Sequence, residues 1–385
     1  MRYRAFCQLL VIALILQNCE SSPDSVSTSI SDSLEFRSYP IDLNAKKVRF
    51  TDLVETLEII SLEETENSLL GLVWVIGTNG DEFVVRNEDQ TALTLFDKQG
   101  NYLSTFDRHG EGPEEYKNIW SYWFKGDTIK LFDNASNRLV QYLQNGTFLK
   151  AERLEYRPNQ IFESDDDYWL DLSYDSFRDT LPYKAVKTDK SFANPEYQIG
   201  FENAVGFPIM TPDGSFKRLG NEITYHEFMS DTAYIVKSGE LVPFIHFDLG
   251  DDFLWRDETL FNNSQKSMDA MQNAGKVWSI FSRLGNKWVH FTYIFSFEGN
   301  RQVLLNRATG QHVELDLRKA GDENLSVNFL HWEGETALIS FSPLDLEEVL
   351  GDLDESQYSF APGSSLEVVE SSENPVLLRV TFKDF

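Results

Sequence analysis

Apolar and polar positions alternate along most of this chain in short runs rich in Val, Ile, Phe, Tyr and Trp, separated by Gly, Asn and Asp. Period-two alternation between turn residues is the signature of half-buried strands, and sustained 3.6-residue periodicity is missing from the body of the chain. The runs also repeat. Gly80–Leu103 lies over Gly126–Leu149 without a gap at a shift of 46 residues. Gly80/Gly126, Asp81/Asp127, Leu93/Leu139, Gly100/Gly146 and Leu103/Leu149 are identical, and Phe83/Ile129, Val85/Leu131, Phe96/Tyr142 and Tyr102/Phe148 are similar. Weaker copies of the strand–Gly–strand unit occur at Tyr234–Val242 and Val303–Val313.

A period in the forties with about four strands per unit is what a β-propeller blade requires. Unit centres near residues 90, 135, 175, 235, 300 and 340 predict six blades. Val54–Leu62 and Pro375–Phe382 are strand-like segments at opposite ends of the body. Together in one blade they would close the ring and remove its free edges. The expected fold is therefore all-β, a six-bladed propeller of four-stranded antiparallel blades spanning 41–385 as one domain. Asp251–Lys276 interrupts the spacing, and Leu260, Ser264, Met268 and Met271 are placed to line one face of a short helix there; a second is expected at Leu344–Leu350.

The N-terminus has a different pattern. Arg2 and Arg4 precede an apolar run from Phe6 to Leu16, too short to span a bilayer and of the size of a secretory signal core. Leu16-Gln17-Asn18-Cys19 resembles the lipobox of bacterial lipoproteins, with Asn18 where a small residue is usual. The resemblance implies cleavage after residue 18 and acylation of Cys19. The only other cysteine, Cys7, would leave with the signal, so the mature chain could form no internal disulfide. Residues 19–40 begin with a Ser-, Asp- and Thr-rich stretch that cannot bury a core and read as a flexible tether.

Phe106-Asp107-Arg108-His109-Gly110-Glu111-Gly112-Pro113-Glu114-Glu115-Tyr116 resembles the Gly-x-Gly-Pro-x-Glu-Tyr loop of the six-bladed, NHL-like β-propeller lipoproteins of Bacteroidota. Ile59–Glu63 and Pro243–Gly250 agree with the same family, and the similarity runs from about Ile41 to Phe382. The resemblance implies a propeller lipid-anchored in the cell envelope, on the outer membrane and facing the periplasm or the surface. It implies little about chemistry.

Charge narrows the field of partners. With 34 Lys and Arg against 62 Asp and Glu, the net charge of −28 repels nucleic acid and anionic lipid. No dinucleotide fingerprint, Walker loop or Gly-x-Ser-x-Gly elbow is present, the six histidines have no zinc-ligand spacing, and no cofactor or metal is expected. Asp165–Asp167 and Asp251-Asp252 do not match a calcium-loop register.

The candidate site is the Gly-Pro loop together with the start of the strand beyond it. His109, Glu111, Glu114, Glu115 and Tyr116 are presented on a loop shaped by two glycines and a proline, between an outer strand and the next inner strand. Trp120 and Trp123 stand where that inner strand begins, and could stack on sugar rings. The same residues also suit a structural elbow with Tyr116 packed between blades. The function expected is non-catalytic binding of a glycan, a peptide or an envelope protein. Its rivals are a lyase or hydrolase built from carboxylates and histidine in the central funnel, and a structural subunit of an outer-membrane complex.

Overall fold

The computed structural model describes residues 34–385 apart from 72, 74, 75, 174–181, 205, 206, 208–210, 212, 298 and 320–323. Cys19 and the signal and tether residues up to 33 lie outside the described residues. From Phe36 onward the chain forms one compact unit of six sheets arranged as a six-bladed β-propeller.

From the axis outward, blade 1 runs Ile76–Asn79, Glu82–Arg86, Ala92–Asp97 and Tyr102–Asp107, and blade 2 runs Ser121–Lys125, Thr128–Asp133, Arg138–Leu143 and Phe148–Arg153. Blade 3 runs Gln160–Glu163, Asp167–Asp171, Tyr183–Asp189 and Glu196–Gly200. The copies at a 46-residue shift are thus blades 1 and 2. Gly80 and Gly126 begin the two-residue turns of their inner hairpins with φ of 59° and 57°. A positive φ at the first turn position is what a type II′ hairpin demands, and glycine adopts it without steric cost.

Blades 4 and 5 carry a fifth strand each. Phe216–Leu219, Glu222–Tyr225, Thr232–Lys237 and Glu240–Asp248 are joined by Arg37–Pro40, which pairs parallel to Ile245–Asp248. Ser279–Leu284, Trp288–Ile294, Asn300–Asn306 and His312–Asp316 are joined by Lys47–Arg49 in the same way. Residues 37–40, expected in the tether, are therefore part of the folded body. Covering the outer edges of two blades removes unpaired backbone groups that would otherwise face water.

Blade 6 closes the ring as expected from its terminal strands. Val327–Glu333 and Thr336–Phe341 are succeeded outward by Val376–Phe382 and then by Val54–Ser61 from the other end of the chain, with Leu378 opposite Ile59. A short strand, Tyr358–Phe360, adds parallel to Val54–Ser61.

Alternation serves two interfaces at once. In blade 1, Phe83, Val85 and Phe96 pack toward Leu338 and Leu377 of blade 6, while Val84, Leu93 and Leu95 pack toward Ile129 and Leu131 of blade 2. Successive side chains of a strand point to opposite faces, so a strand between two blades is apolar on both. Leu103 and Leu149, identical between the repeats, are instead exposed on outer strands at 47% and 45%. The insertion holds a helix, Ser264–Asn273, with Ser267 and Met271 buried. Met268 is 40% exposed, and Leu260 is buried in a separate 3-10 turn, so the expected four-residue stripe does not form. The second helix is Leu346–Gly351, with Leu346, Val349 and Leu350 buried.

Candidate ligand-binding channel

The inner strands of neighbouring blades cannot continue one another's hydrogen-bond ladders, so side chains staple them. Tyr122 donates to Val84 O at 2.7 Å and accepts from Gly77 N at 3.0 Å, joining blades 2 and 1. Burial pushes its phenol up to about 12, keeping it a neutral donor. Gln160 uses both ends of its amide on Phe216, donating to its carbonyl at 3.0 Å and accepting from its N–H at 2.7 Å. Gly214, with φ of 82°, makes room for this: a Cβ there would lie 2.3 Å from the Gln160 amide. Arg283 donates through Nε to the Phe329 and Leu330 carbonyls, and Trp332 donates to Arg283 O at 2.8 Å, joining blades 5 and 6.

These strands surround a chain of cavities. One of them, about 590 Å³, is lined by Thr78, Lys98, Phe162, Lys217, Arg218, Arg283, Trp332 and Glu333, near the inner hairpin turns. A second, about 440 Å³, shares Gly77, Thr78, Phe162 and Arg218 with it and adds Trp123, Lys125 and Glu163. The two make one basin of the size that small-ligand sites have. A smaller cavity of about 180 Å³ lies against Arg86 and Trp120.

The charges of the basin are fixed by their neighbours. Asp213 lies 2.8 Å from Arg283 Nη2 and 3.2 Å from Lys217 Nζ. Burial opposes its charge, but the Arg283 and Lys217 charges outweigh burial and hold its carboxyl below the usual range. Lys217, in turn, is lowered by burial to about 8 despite Asp213. Glu163 is buried yet held at about 2, because Lys130, Trp123 and Lys190 all donate to it. Glu333 is also brought to about 2, by the His331 imidazole 3.8 Å away and the charges of Lys98 and Arg379. Arg218 differs. It is exposed, its guanidinium sits 5.4 Å from the Phe162 ring and 3.3 Å from Glu163 O, and it has no carboxylate partner among the described residues.

The Gly-Pro loop is placed elsewhere. Tyr116 is fully buried against Phe106 and Tyr142, donating to Thr91 O at 2.7 Å and accepting from Arg108 N. Glu115 turns inward to accept from Gly112 N at 2.7 Å, and Tyr142 and Arg138 donate to the carbonyls of Glu114 and Glu115. Glu111 pairs with Lys117 at 2.8 Å on the surface, and the exposed His109 N–H is tied to Asp107. Of the seven candidate residues, Trp120 and Trp123 line the channel cavities described; His109, Glu111, Glu114, Glu115 and Tyr116 do not. Both tryptophans donate their N–H to blade 3, to Asn159 O and Glu163.

Sequence reasoning missed Arg218, Lys217, Asp213 and Arg283, which belong to no linear motif. One signal was available: Thr78, Phe124, Arg218 and Trp332 each stand two residues before an inner-hairpin glycine, at 80, 126, 220 and 334, and all four line the basin.

Comparison with known proteins agrees with this architecture. The crystal structure of a presumed exported protein from Bacteroides fragilis NCTC 9343 superposes with a TM-score of 0.70 at 18% identity, over 91% of this chain and 99% of that one. A member of the DUF4221 family from Bacteroides vulgatus ATCC 8482 superposes at 0.52 and 12% identity, over 86% and 97%. These are likenesses of fold. No curated protein matches the sequence. The family model for a domain of unknown function, DUF4934, matches residues 39–381, and the chain belongs to that family.

Proposed function

We propose that this protein is an exported, lipid-anchored envelope propeller of the NHL-like Bacteroidota type that binds a small ligand in its central channel without transforming it. The observation that carries the binding reading is the basin itself. It is enclosed by inner strands of several blades, lined by rings and fixed charges, and open to a ligand of several hundred Å³. Three carboxylates along it, Glu163, Asp213 and Glu333, are held ionised by neighbouring cations, which suits orienting a ligand better than donating a proton to one.

Thermal denaturation of the purified protein against oligosaccharides and peptides tests this. A ligand at about one hundred times its Kd is expected to add roughly 2.7 kcal/mol of stability. Thr78→Trp, which fills the point shared by both lobes, is expected to abolish the shift. A ligand that stabilises this variant as well as the parent would place the site elsewhere.

The enzyme reading has one feature in its favour, Lys217, which burial leaves near 8 and therefore able to accept a proton at neutral pH. Turnover of a bound ligand that disappears in Lys217→Met would replace the binding reading with a lyase or hydrolase.

Anchoring rests on the signal-like N-terminus and lone retained cysteine, and the likeness to a presumed exported protein of Bacteroides fragilis is consistent with export. Cys19→Ala is expected to eliminate fatty-acid labelling and release the body from membranes. Labelling that persists in the variant would rule out this anchor.

A further inference from the structure

We propose that the channel basin selects an acidic oligosaccharide, with Arg218 as the residue that meets its carboxylate or sulfate groups. This rests on the channel reading above and names the ligand class for the same site. Three observations carry it.

The first is the local reversal of charge. The chain has 34 Lys and Arg against 62 Asp and Glu, but the residues lining the two lobes include five cations, Lys98, Lys125, Lys217, Arg218 and Arg283, against four acids. Further cations stand directly behind those acids: Lys130 and Lys190 on Glu163, and Arg379 on Glu333. Arg379 is shared with Glu58, so the basin and its backing hold a small excess of cations in a chain whose acids outnumber its cations almost two to one.

The second is the state of the individual cations. Arg283 and Lys217 are engaged by Asp213, Lys98 by Glu333, and Lys125 by Glu163. Arg218 alone among these five lacks a carboxylate partner among the described residues, and it stands where the lobes meet. Stacking beside Phe162 orients its planar fork, and a guanidinium so placed recognises a carboxylate or sulfate bidentately. Asp213, on Arg283 and Lys217, shows that carboxylates are accepted by this wall.

The third is the alternation of rings with charges. Phe162 and Trp332 line one lobe, and Tyr122, Trp123 and Phe124 the other. Pyranose rings present flat C–H faces to aromatic side chains and, in uronic or sulfated sugars, anions at their edges. Both chemistries are met within one basin.

Isothermal titration of the membrane-purified protein distinguishes the outcomes. The probes are a galacturonic acid tetrasaccharide, a κ-carrageenan tetrasaccharide, which carries sulfate and no carboxylate, and neutral maltotetraose. At least one acidic probe is expected to bind, with affinity falling as salt is raised, and maltotetraose is not. Arg218→Ala is expected to weaken binding about tenfold and Arg218→Glu to eliminate it. Arg218 is exposed, so both variants should keep the parent Tm, and a variant that does not is replaced by Arg218→Gln. The carboxylated and sulfated probes separate the two sources of anion. Maltotetraose binding as tightly as the acidic probes, with no effect of Arg218→Glu, would overturn the acidic-ligand inference and leave the channel reading standing. Binding of an acidic probe that survives both Thr78→Trp and Arg218→Glu would overturn both. Absence of binding by all three saccharides would overturn the inference alone, since peptides remain a test of the channel.

Discussion

A chain terminated after Asn374 is expected to show no cooperative thermal transition, whereas one terminated after Lys383 should melt within about 4 °C of the intact protein. The longer deletion removes Val376–Phe382, the third strand of blade 6, which lies between Thr336–Phe341 and Val54–Ser61. It buries Val376, Leu377, Leu378, Val380 and Phe382, all at 3% exposure or less. At about 1.5–3 kcal/mol for each side chain, the loss is on the order of 10 kcal/mol, as large as the whole stability of a typical protein. Its effect also spreads. Without this strand Val54–Ser61 has no antiparallel partner, two sheet edges are exposed, and Phe50, Trp288 and Phe329 lose Phe382. The shorter deletion removes the Lys287–Asp384 surface pair and the half-buried Phe385, which packs on Trp288 at the margin of the blade 6 core. Circular dichroism melts of the two chains provide the measurement. A cooperative melt of the chain ending at Asn374 near the parent temperature would mean that the ring is held by its blade faces alone, and that closure by the termini is incidental.

That closing strand is legible in the sequence because its signal is local. Alternating β-branched and leucine residues at Val376–Phe382 and Val54–Ser61 report strands whatever their partners, and ring closure is then required by the cost of free edges. The blade turns are legible for the same reason: glycine at 80, 100, 126 and 146 takes a positive φ that other residues adopt with strain. The helix in the insertion is legible too, but its buried face is not. Leu260 belongs to a separate turn, so the period that joins it to Ser264 and Met268 crosses an element boundary.

The site is much less legible, and the reason is geometric. A propeller channel takes one or two residues from each inner strand, so Thr78, Phe162, Arg218, Arg283 and Trp332 are neighbours in space and successively about 50 to 85 residues apart in sequence. The Gly-Pro loop draws attention because its polar residues are consecutive. Consecutive polar residues on a tight loop also satisfy one another, and Glu115 on Gly112 N and Glu111 on Lys117 do so. Trp120 and Trp123 are found because they lie at the inner strand beyond the loop, which is where the channel wall begins.

The second large effect expected is acid lability governed by two buried histidines. His226 donates from Nε2 to Ser230 O at 3.0 Å and accepts at Nδ1 from the Ser282 hydroxyl, and burial lowers it to about 4. His290 donates from Nε2 to Gln302 Oε1, whose amide is oriented by its own bond to Val327 O, and its ring stacks on Phe329 at 3.7 Å. Burial lowers it to about 3, with the charge of Arg283 acting in the same direction. Both are neutral in the folded and the unfolded chain above about pH 7.5. As the pH falls below about 6.5, the unfolded chain takes up protons that the folded chain refuses, and stability declines by about 1.4 kcal/mol per pH unit per histidine. At pH 5 that amounts to about 2 kcal/mol each, or about 4 kcal/mol together. Asp171 and Glu227 act oppositely: burial raises both, so the folded chain holds their protons more firmly and acidification favours it through them. The carboxylates held low, Glu163 and Glu333 among them, lose their contribution only as the pH drops below about 4.5, outside this window. Comparing variant with parent cancels all of these terms. Urea unfolding of His226→Gln and His290→Gln at about pH 7.5 and about pH 5 should therefore show each variant losing about 2 kcal/mol less than the parent over that interval, whatever its stability at the higher pH. Parallel losses in parent and variants would mean that both imidazoles accept protons in the folded chain, and that the blade 4–blade 5 and blade 5–blade 6 interfaces where they sit admit water.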